Sequence, residues 1–388
     1  MADRDGLAET LRGLSDTGWS TLIEQSLRHR TTGLLCQHIL SLGSDRLQPG
    51  TVEACAAFVQ AAEARSKQGI LELAEVVGAL ARQGIEAVVI KGPVLARQIY
   101  PHPSLRDFRD LDLLVRPADR DATLAVLTAR GYRSAVADLP AGRLRAYYDY
   151  NGQDVLFAAG RYPLEPHWAL APRTFVPRLE GPPLIGRSVP VAQDGAVVLR
   201  GLAPEDALLV AALRGTKEHW AKLILLTDIA AMFRSWPRLD VALVLDRARQ
   251  GRCERMLRVA VQPVQRLLGI SPPAPLAERA EADPVAARLA GAIERRLRGP
   301  QAEPPSVFDL TGFGWKARDC LADRLRYAAR TLLTARTPHF RTLALPDRLA
   351  FLYPAVRLGL EWVIWPGWKR VRRLRSRSAM KHRTPLVR

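Results

Sequence analysis

Cysteine is scarce in this chain, and a long uninterrupted apolar run is missing. The four cysteines, Cys36, Cys55, Cys253 and Cys320, are widely separated and contain no Cys-x-x-Cys pair. That spacing suggests neither a disulfide framework nor a zinc ribbon and fits a reducing compartment. The most apolar late stretch, 349–368, is interrupted by Arg357, Glu361 and Pro366, whereas a bilayer-spanning helix needs about 20 predominantly apolar residues. The first ten residues mix both charge signs, unlike the basic-then-apolar order of a secretory signal, so the expectation is a cytoplasmic protein without a transmembrane segment. Also absent are the His-Glu-x-x-His zinc site, the Gly-x-Ser-x-Gly elbow, the Gly-x-Gly-x-x-Gly fingerprint and the P-loop spacing. No strand interleaves aromatic and basic residues as common RNA-binding modules do.

Acidic residues are missing from one place in particular. Residues 367–388 carry nine basic side chains and no acidic one, which is half of the net charge of +18. Such a tail is either a solvated terminus or a contact for anionic lipid, nucleic acid or an acidic partner.

With 388 residues and a hydrophobic fraction of 48%, the chain can build two or three packed units. From residue 53 to 82 the spacing of Leu73, Val76, Val77 and Leu80 predicts an amphipathic helix ended at Gly84. A short strand at 86–90 follows, then the turn Lys91-Gly92-Pro93, a helix at 94–100 and a second strand at 109–115. Pro117 opens a helix that closes at Gly131. Strands at 154–158 and 162–168 suggest a hairpin around Gly160. The Pro- and Gly-rich stretch 172–202 reads as a connection with strand character near 196–199. Beyond Pro204 the pattern is helical, with helices at 219–233, 241–249, 254–268 and 284–297, and with loops at 300–305 and 312–315.

The most informative segment is Asp110-Leu111-Asp112-Leu113-Leu114-Val115. Side chains two apart on a strand share a face, so both carboxylates point one way and Leu111 and Leu113 the other. Adjacent carboxylates repel unless a cation lies between them, and magnesium is commonly held by one or two carboxylates with water and substrate phosphates. Upstream, Lys91 and Gly92 precede a helix start, where glycine lets the backbone approach a phosphate and the helix N-terminus favours an anion. Downstream, Glu165 and His167 share one face of a strand. Glu165 is a candidate third ligand or general base, and His167 is either a nucleotide contact or a structural histidine beside Trp168.

These segments together resemble the uncharacterised nucleotidyltransferase family of the polymerase-β-like superfamily. The residues that carry the resemblance are Val89-Ile90-Lys91-Gly92-Pro93, Tyr100-Pro101, Arg106, the segment from Asp110 to Val115, Gly131-Tyr132 and Leu164-Glu165-Pro166-His167-Trp168. It continues through Pro204-Glu205-Asp206, Gly215-Thr216-Lys217 with Trp220 and Asp228, and Leu345-Pro346.

The resemblance implies an α+β fold in which a small mixed sheet flanked by helices is followed by a mainly helical domain. The chain then divides into an N-terminal helical region at 1–83, a nucleotidyltransferase core at 84–202, a helical domain at 203–300, a C-terminal extension at 301–366 and a basic tail at 367–388. It also implies magnesium held by Asp110, Asp112 and Glu165, with Lys91, Gly92, Lys217 and His167 contacting the nucleotide. The reaction implied is transfer of a nucleoside monophosphate from a nucleoside triphosphate to a small-molecule, sugar or peptide acceptor. The superfamily's phosphate turn has Gly-Ser or Gly-Gly where this chain has Gly92-Pro93, which removes one backbone donor. A nucleotide-binding module without turnover is therefore a second reading, and a protein acting at an anionic surface through its tail a third.

Overall fold

Seven strands, β1 (Val88–Val89), β2 (Leu111–Leu114), β3 (Arg133–Ser134), β4 (Leu156–Phe157), β5 (Leu164–His167), β6 (Val189–Asp194) and β7 (Val197–Gly201), form one mixed sheet in the order β3-β4-β5-β2-β1-β7-β6. The computed structural model describes residues 4–42, 50–172, 175, 178–299, 307–334, 337–343 and 345–361. Helices cover both faces of the sheet, so the fold is α+β. The 300–305 loop and the 367–388 tail lie outside the described residues.

Strand alternation sorts the central side chains onto the two faces. Leu111, Leu113 and Val115 pack against Leu73, Val76, Val77 and Leu80 of the long helix Thr51–Ala81. Val88, Ile90 and Leu114 turn the other way and join the core of the helical domain, which includes Leu208, Leu209, Leu225 and Ile229. Each such fully buried aliphatic side chain contributes about 1.5–3 kcal/mol relative to exposure. Asp112 lies on the same face as Leu114, so the sheet aims a carboxylate at the helical domain.

Three expectations are corrected. The stretch 172–202 is more than a connection, because 189–201 forms the β6–β7 hairpin about Gly195 (φ +55°), and β7 pairs parallel with β1 through Val89 and Gly201. Residues 312–315, expected as a loop, belong to the helix Val307–Lys316. There Gly314 serves close approach, since a Cβ would meet the Tyr327 hydroxyl at 2.3 Å. The helix expected from 219 begins at Ile224 instead. Ahead of it His219 and Trp220 both adopt φ of +53°, a conformation costly for side chains other than glycine. The turn is held by burial of the Trp220 ring directly over Gly215, where a Cβ would lie 2.4 Å from the ring.

One buried ion pair joins sheet and helical domain. Arg106 donates from Nε (3.0 Å) and Nη2 (3.0 Å) to the two carboxylate oxygens of Asp228, and Tyr100 donates to the same carboxylate at 3.1 Å. Both charged side chains are under 5% exposed. Removing one partner leaves a charge uncompensated in the interior, so Asp228→Asn is expected to lower unfolding stability by about 3–5 kcal/mol. By contrast Arg116–Glu86 is about 40% exposed on both sides, and Glu86→Gln is expected to cost under about 1 kcal/mol. Urea denaturation of the two variants checks the contrast.

Candidate active site

The site is assembled where β1 ends and where β2 and β5 run side by side. Parallel pairing sets Asp112 directly beside Glu165 and Leu114 beside His167. Two acidic side chains from separate parts of the sequence thereby share one face of the sheet. Asp110 lies in the bend just before β2, not within it, and its carboxylate still turns to the same side. Lys91 leaves β1 on the strand next to β2 and completes the group.

The Lys91 ammonium is the centre of this arrangement. It lies 2.5 Å from Asp112 Oδ1, 3.9 Å from Asp110 Oδ2 and 3.9 Å from Glu165 Oε2. Asp112 is fully buried, and Oδ1 also meets His167 Nε2 at 3.0 Å. Burial alone would raise the Asp112 pKa, but the Lys91 charge and the His167 hydrogen bond hold the carboxyl well below the usual range. His167 is 2% exposed, and burial lowers its pKa despite Asp112. The contact to Asp112 requires a hydrogen on Nε2, which the neutral ring can carry there while leaving Nδ1 as acceptor. Glu165 accepts a hydrogen bond from Gln153 at 3.1 Å. Burial, then the neighbouring Asp112 charge, push its carboxyl up to about 7.

The donor set fits a divalent cation. Asp112 Oδ2 is buried with no hydrogen-bond partner, an arrangement that is costly unless a cation or donor meets it. Asp112, Glu165 and His167 offer ligand atoms within 4.8 Å of one another. Of the three carboxylates expected to act as ligands, Asp112 and Glu165 belong to this tight group. His167, expected at the nucleotide, replaces Asp110 in it, and Asp110 approaches through Lys91. The Lys91 ammonium and a cation would draw on the same carboxylates.

Beside the carboxylates, which do not line it, lies a cavity of about 50 Å³ with a group of basic residues in its wall. Lys91, Arg214 and Lys217 line it together with His167 and Asp228. Arg214 and Lys217 are three apart on the helix Pro204–Lys217, so they share a face. Arg214 pairs with Glu218 at 2.7 Å. Lys217 makes no hydrogen bond or ion pair among the described residues, and burial, with Lys91 nearby, lowers its pKa. A buried cation beside other cations calls for an anion. Gly92 sits at φ +69°, where glycine is favoured, and begins the helix Gly92–Ile99 with Pro93 in its first turn.

The structure thus brings Lys91, Asp110, Asp112, Glu165 and His167 into one cluster, with Gly92 beside it and Lys217 in the wall of the neighbouring cavity. Arg214 was not among the expected site residues. Its three-residue spacing before Lys217 was the one signal available, and such a spacing on a helix is common. Gln153, the partner of Glu165, carried no signal at all.

A family model described as uncharacterised nucleotidyltransferase matches residues 15–269. The match spans more than half of the chain and contains every residue of the cluster, so the chain belongs to this family. No curated protein matches it.

The raised Glu165 pKa has a signed consequence. Its folded value lies above the ordinary 4.5, so the stability it contributes is present below about 4.5 and is lost as pH rises through about 7. In metal-free buffer, Glu165→Gln is expected to be more stable than wild type at pH 8, by on the order of 1–3 kcal/mol, with the difference shrinking towards pH 5. Urea denaturation between pH 5 and 8 measures it. A flat difference would show that Glu165 titrates as an ordinary carboxylate.

Proposed function

We propose that the chain is a magnesium-dependent nucleotidyltransferase that moves a nucleoside monophosphate from a nucleoside triphosphate to an acceptor hydroxyl of a small molecule, sugar or peptide. The observation that carries this reading is the convergence of Asp110, Asp112 and Glu165 on the Lys91 ammonium, with Arg214 and the unpaired Lys217 in the wall of the neighbouring cavity. Clustered carboxylates with an unpartnered cation close by suit a metal-bound polyphosphate, which carries both signs.

Asp110, Asp112 and Glu165, with His167 adjoining, would hold the cation. Bound magnesium would polarise the phosphoryl oxygens and lessen the charge on the attacking and departing oxygens. The protein residues do the rest. His167 fixes the Asp112 carboxylate through its Nε2–H. Lys217, Arg214 and Lys91 bind and orient the triphosphate, with the Gly92 backbone close beside it. The acceptor oxygen attacks the α-phosphorus, the bond to the β-phosphate oxygen breaks, and pyrophosphate leaves. Glu165 would either complete the metal shell or take the acceptor's proton.

A second reading has its own support. Lys91 compensates the carboxylates internally at 2.5 Å from Asp112, and Pro93 removes a backbone donor at the phosphate turn. Both features suit a module that binds a nucleotide without transferring it.

A panel of nucleoside triphosphates with magnesium, scored by thermal shift and by pyrophosphate release in the presence of a metabolite extract, separates the readings. Transfer predicts release that Asp112→Asn lowers by a factor on the order of 10²–10³. Thermal stabilisation with no release from any nucleotide would leave the binding module. Signals unchanged in Asp112→Asn would reject the metal site.

A further inference from the structure

The turn between the helices Asp16–His29 and Thr32–Leu42 carries an arginine where glycine is the usual residue. Arg30 caps the first of them at φ +56° and ψ +38°, a left-handed conformation that is costly for a residue with a Cβ. Thr31 donates its N–H to the Ser26 carbonyl at 2.8 Å, and Arg30 donates its own to Leu27 at 3.2 Å. Glycine makes such a helix end without strain. Nothing within the protein explains the choice of arginine, because its guanidinium makes no hydrogen bond or ion pair among the described residues.

The side chain reaches the candidate active site. Arg30 lines a narrow cleft with Lys91, Gly92, Asp107, Asp110 and Arg214. Lys91 and Arg214 also line the cavity that holds Lys217, so the two spaces share a wall. Asp107 makes no ion pair with Arg30, and Asp110 is drawn to Lys91 at 3.9 Å. Positive charge is in excess here. Burial and then the Arg30 charge lower the pKa of Lys222, which also has no hydrogen-bond or ion-pair partner among the described residues. Contacts on two sides hold the turn in place. The Leu223 N–H donates to Nδ1 of the buried His29 at 3.2 Å, which fastens the turn to the helical domain beside Lys222. Gly33 rests on the backbone of Ser104, where a Cβ would come within 2.4 Å of the carbonyl oxygen, and this fastens the turn to the segment leading to Asp110.

We propose that Arg30 binds phosphate oxygens of the triphosphate from this second cleft, so that the N-terminal helical region is part of the nucleotide site and senses the length of the polyphosphate. This contact, which presupposes the nucleotidyltransferase reading, comes from outside both the sheet and the helical domain. Lys217 stands on one side of the Lys91 and Arg214 wall and Arg30 on the other. An anion that meets both needs more than one phosphate group, whereas a carboxylate or a single phosphate would leave one of the two cations unmet. The planar guanidinium offers two parallel N–H donors to a phosphate, which a lysine does not. A left-handed backbone is tolerated where the side chain it delivers serves a binding site.

Calorimetric titration of the full chain with inorganic tripolyphosphate and with orthophosphate, at fixed magnesium, tests the contact without choosing a nucleotide. Arg30→Gln keeps most of the stem and removes the charge. It is expected to weaken tripolyphosphate binding about tenfold or more and orthophosphate binding less than about threefold. Arg30→Gly relieves the left-handed backbone, so it is expected to weaken tripolyphosphate binding as much while its melting midpoint equals or exceeds that of wild type. A role confined to holding the turn predicts the reverse, a lower midpoint for Arg30→Gly with unchanged affinity in Arg30→Gln, and would overturn the proposal. Equal losses for the two anions would overturn it as well, since Arg30 would then not sense length. If Lys217→Ala weakens tripolyphosphate binding and neither Arg30 variant does, the Arg30 contact falls and the nucleotidyltransferase reading stands. No tripolyphosphate binding by the wild-type chain would overturn both.

Discussion

A carboxylate with no solvent exposure in the middle of a β-sheet is costly to keep ionised, and Asp112 is such a group. Its charge is sustained by the Lys91 ammonium and the His167 N–H, both delivered to Oδ1 by neighbouring strands. The rest of the site follows from this requirement. Parallel pairing of β2 with β5 places Glu165 alongside, where the Asp112 charge and burial hold a proton on it to about neutral pH. The same compensation leaves Oδ2 without a partner. One carboxylate is thus satisfied on one oxygen and open on the other, an arrangement that suits a metal ligand.

The helical domain completes the site from the opposite side. Arg106 and Asp228 fasten it to the segment between β1 and β2, and the strained turn at His219 and Trp220 fixes the end of the helix that carries Arg214 and Lys217. Arg214 is paired with Glu218, whereas Lys217 has no hydrogen-bond or ion-pair partner among the described residues. A ligand bearing phosphates and a cation would meet the carboxylates and Lys217 at once, and would make one site of the sheet and the helical domain, which fold from separate stretches of sequence.

Much of this was legible in the residues, and what was not has identifiable causes. The period-two pattern of Leu111, Asp112, Leu113 and Leu114 set the facing of β2, because a one-residue slip would bury both carboxylates against the long helix. The 3.6-residue spacing of Leu73, Val76, Val77 and Leu80 set the face that covers it. The pairing of β2 with β5 was not legible, since nothing local joins Asp112 to a residue 53 positions later. The β6–β7 hairpin was obscured by its proline and glycine content, and the helix at 307–316 by Gly312 and Gly314, of which Gly314 serves close packing against Tyr327. His167 was ambiguous for a physical reason. A histidine on a strand face has the same sequence signature whether its partner is a ligand or a buried carboxylate two residues' width away.

The central claim is that Asp112 and Glu165 hold a divalent cation in competition with Lys91. The most direct measurement is anomalous diffraction at the manganese edge from crystals grown with Mn²⁺ and a non-hydrolysable nucleoside triphosphate. The account predicts one strong peak at about 2.0–2.3 Å from carboxylate oxygens of Asp112 and Glu165, with the Lys91 ammonium displaced from between them. A nucleotide bound in the cavity with Lys91 still seated among the carboxylates, and no peak beside them, would contradict it.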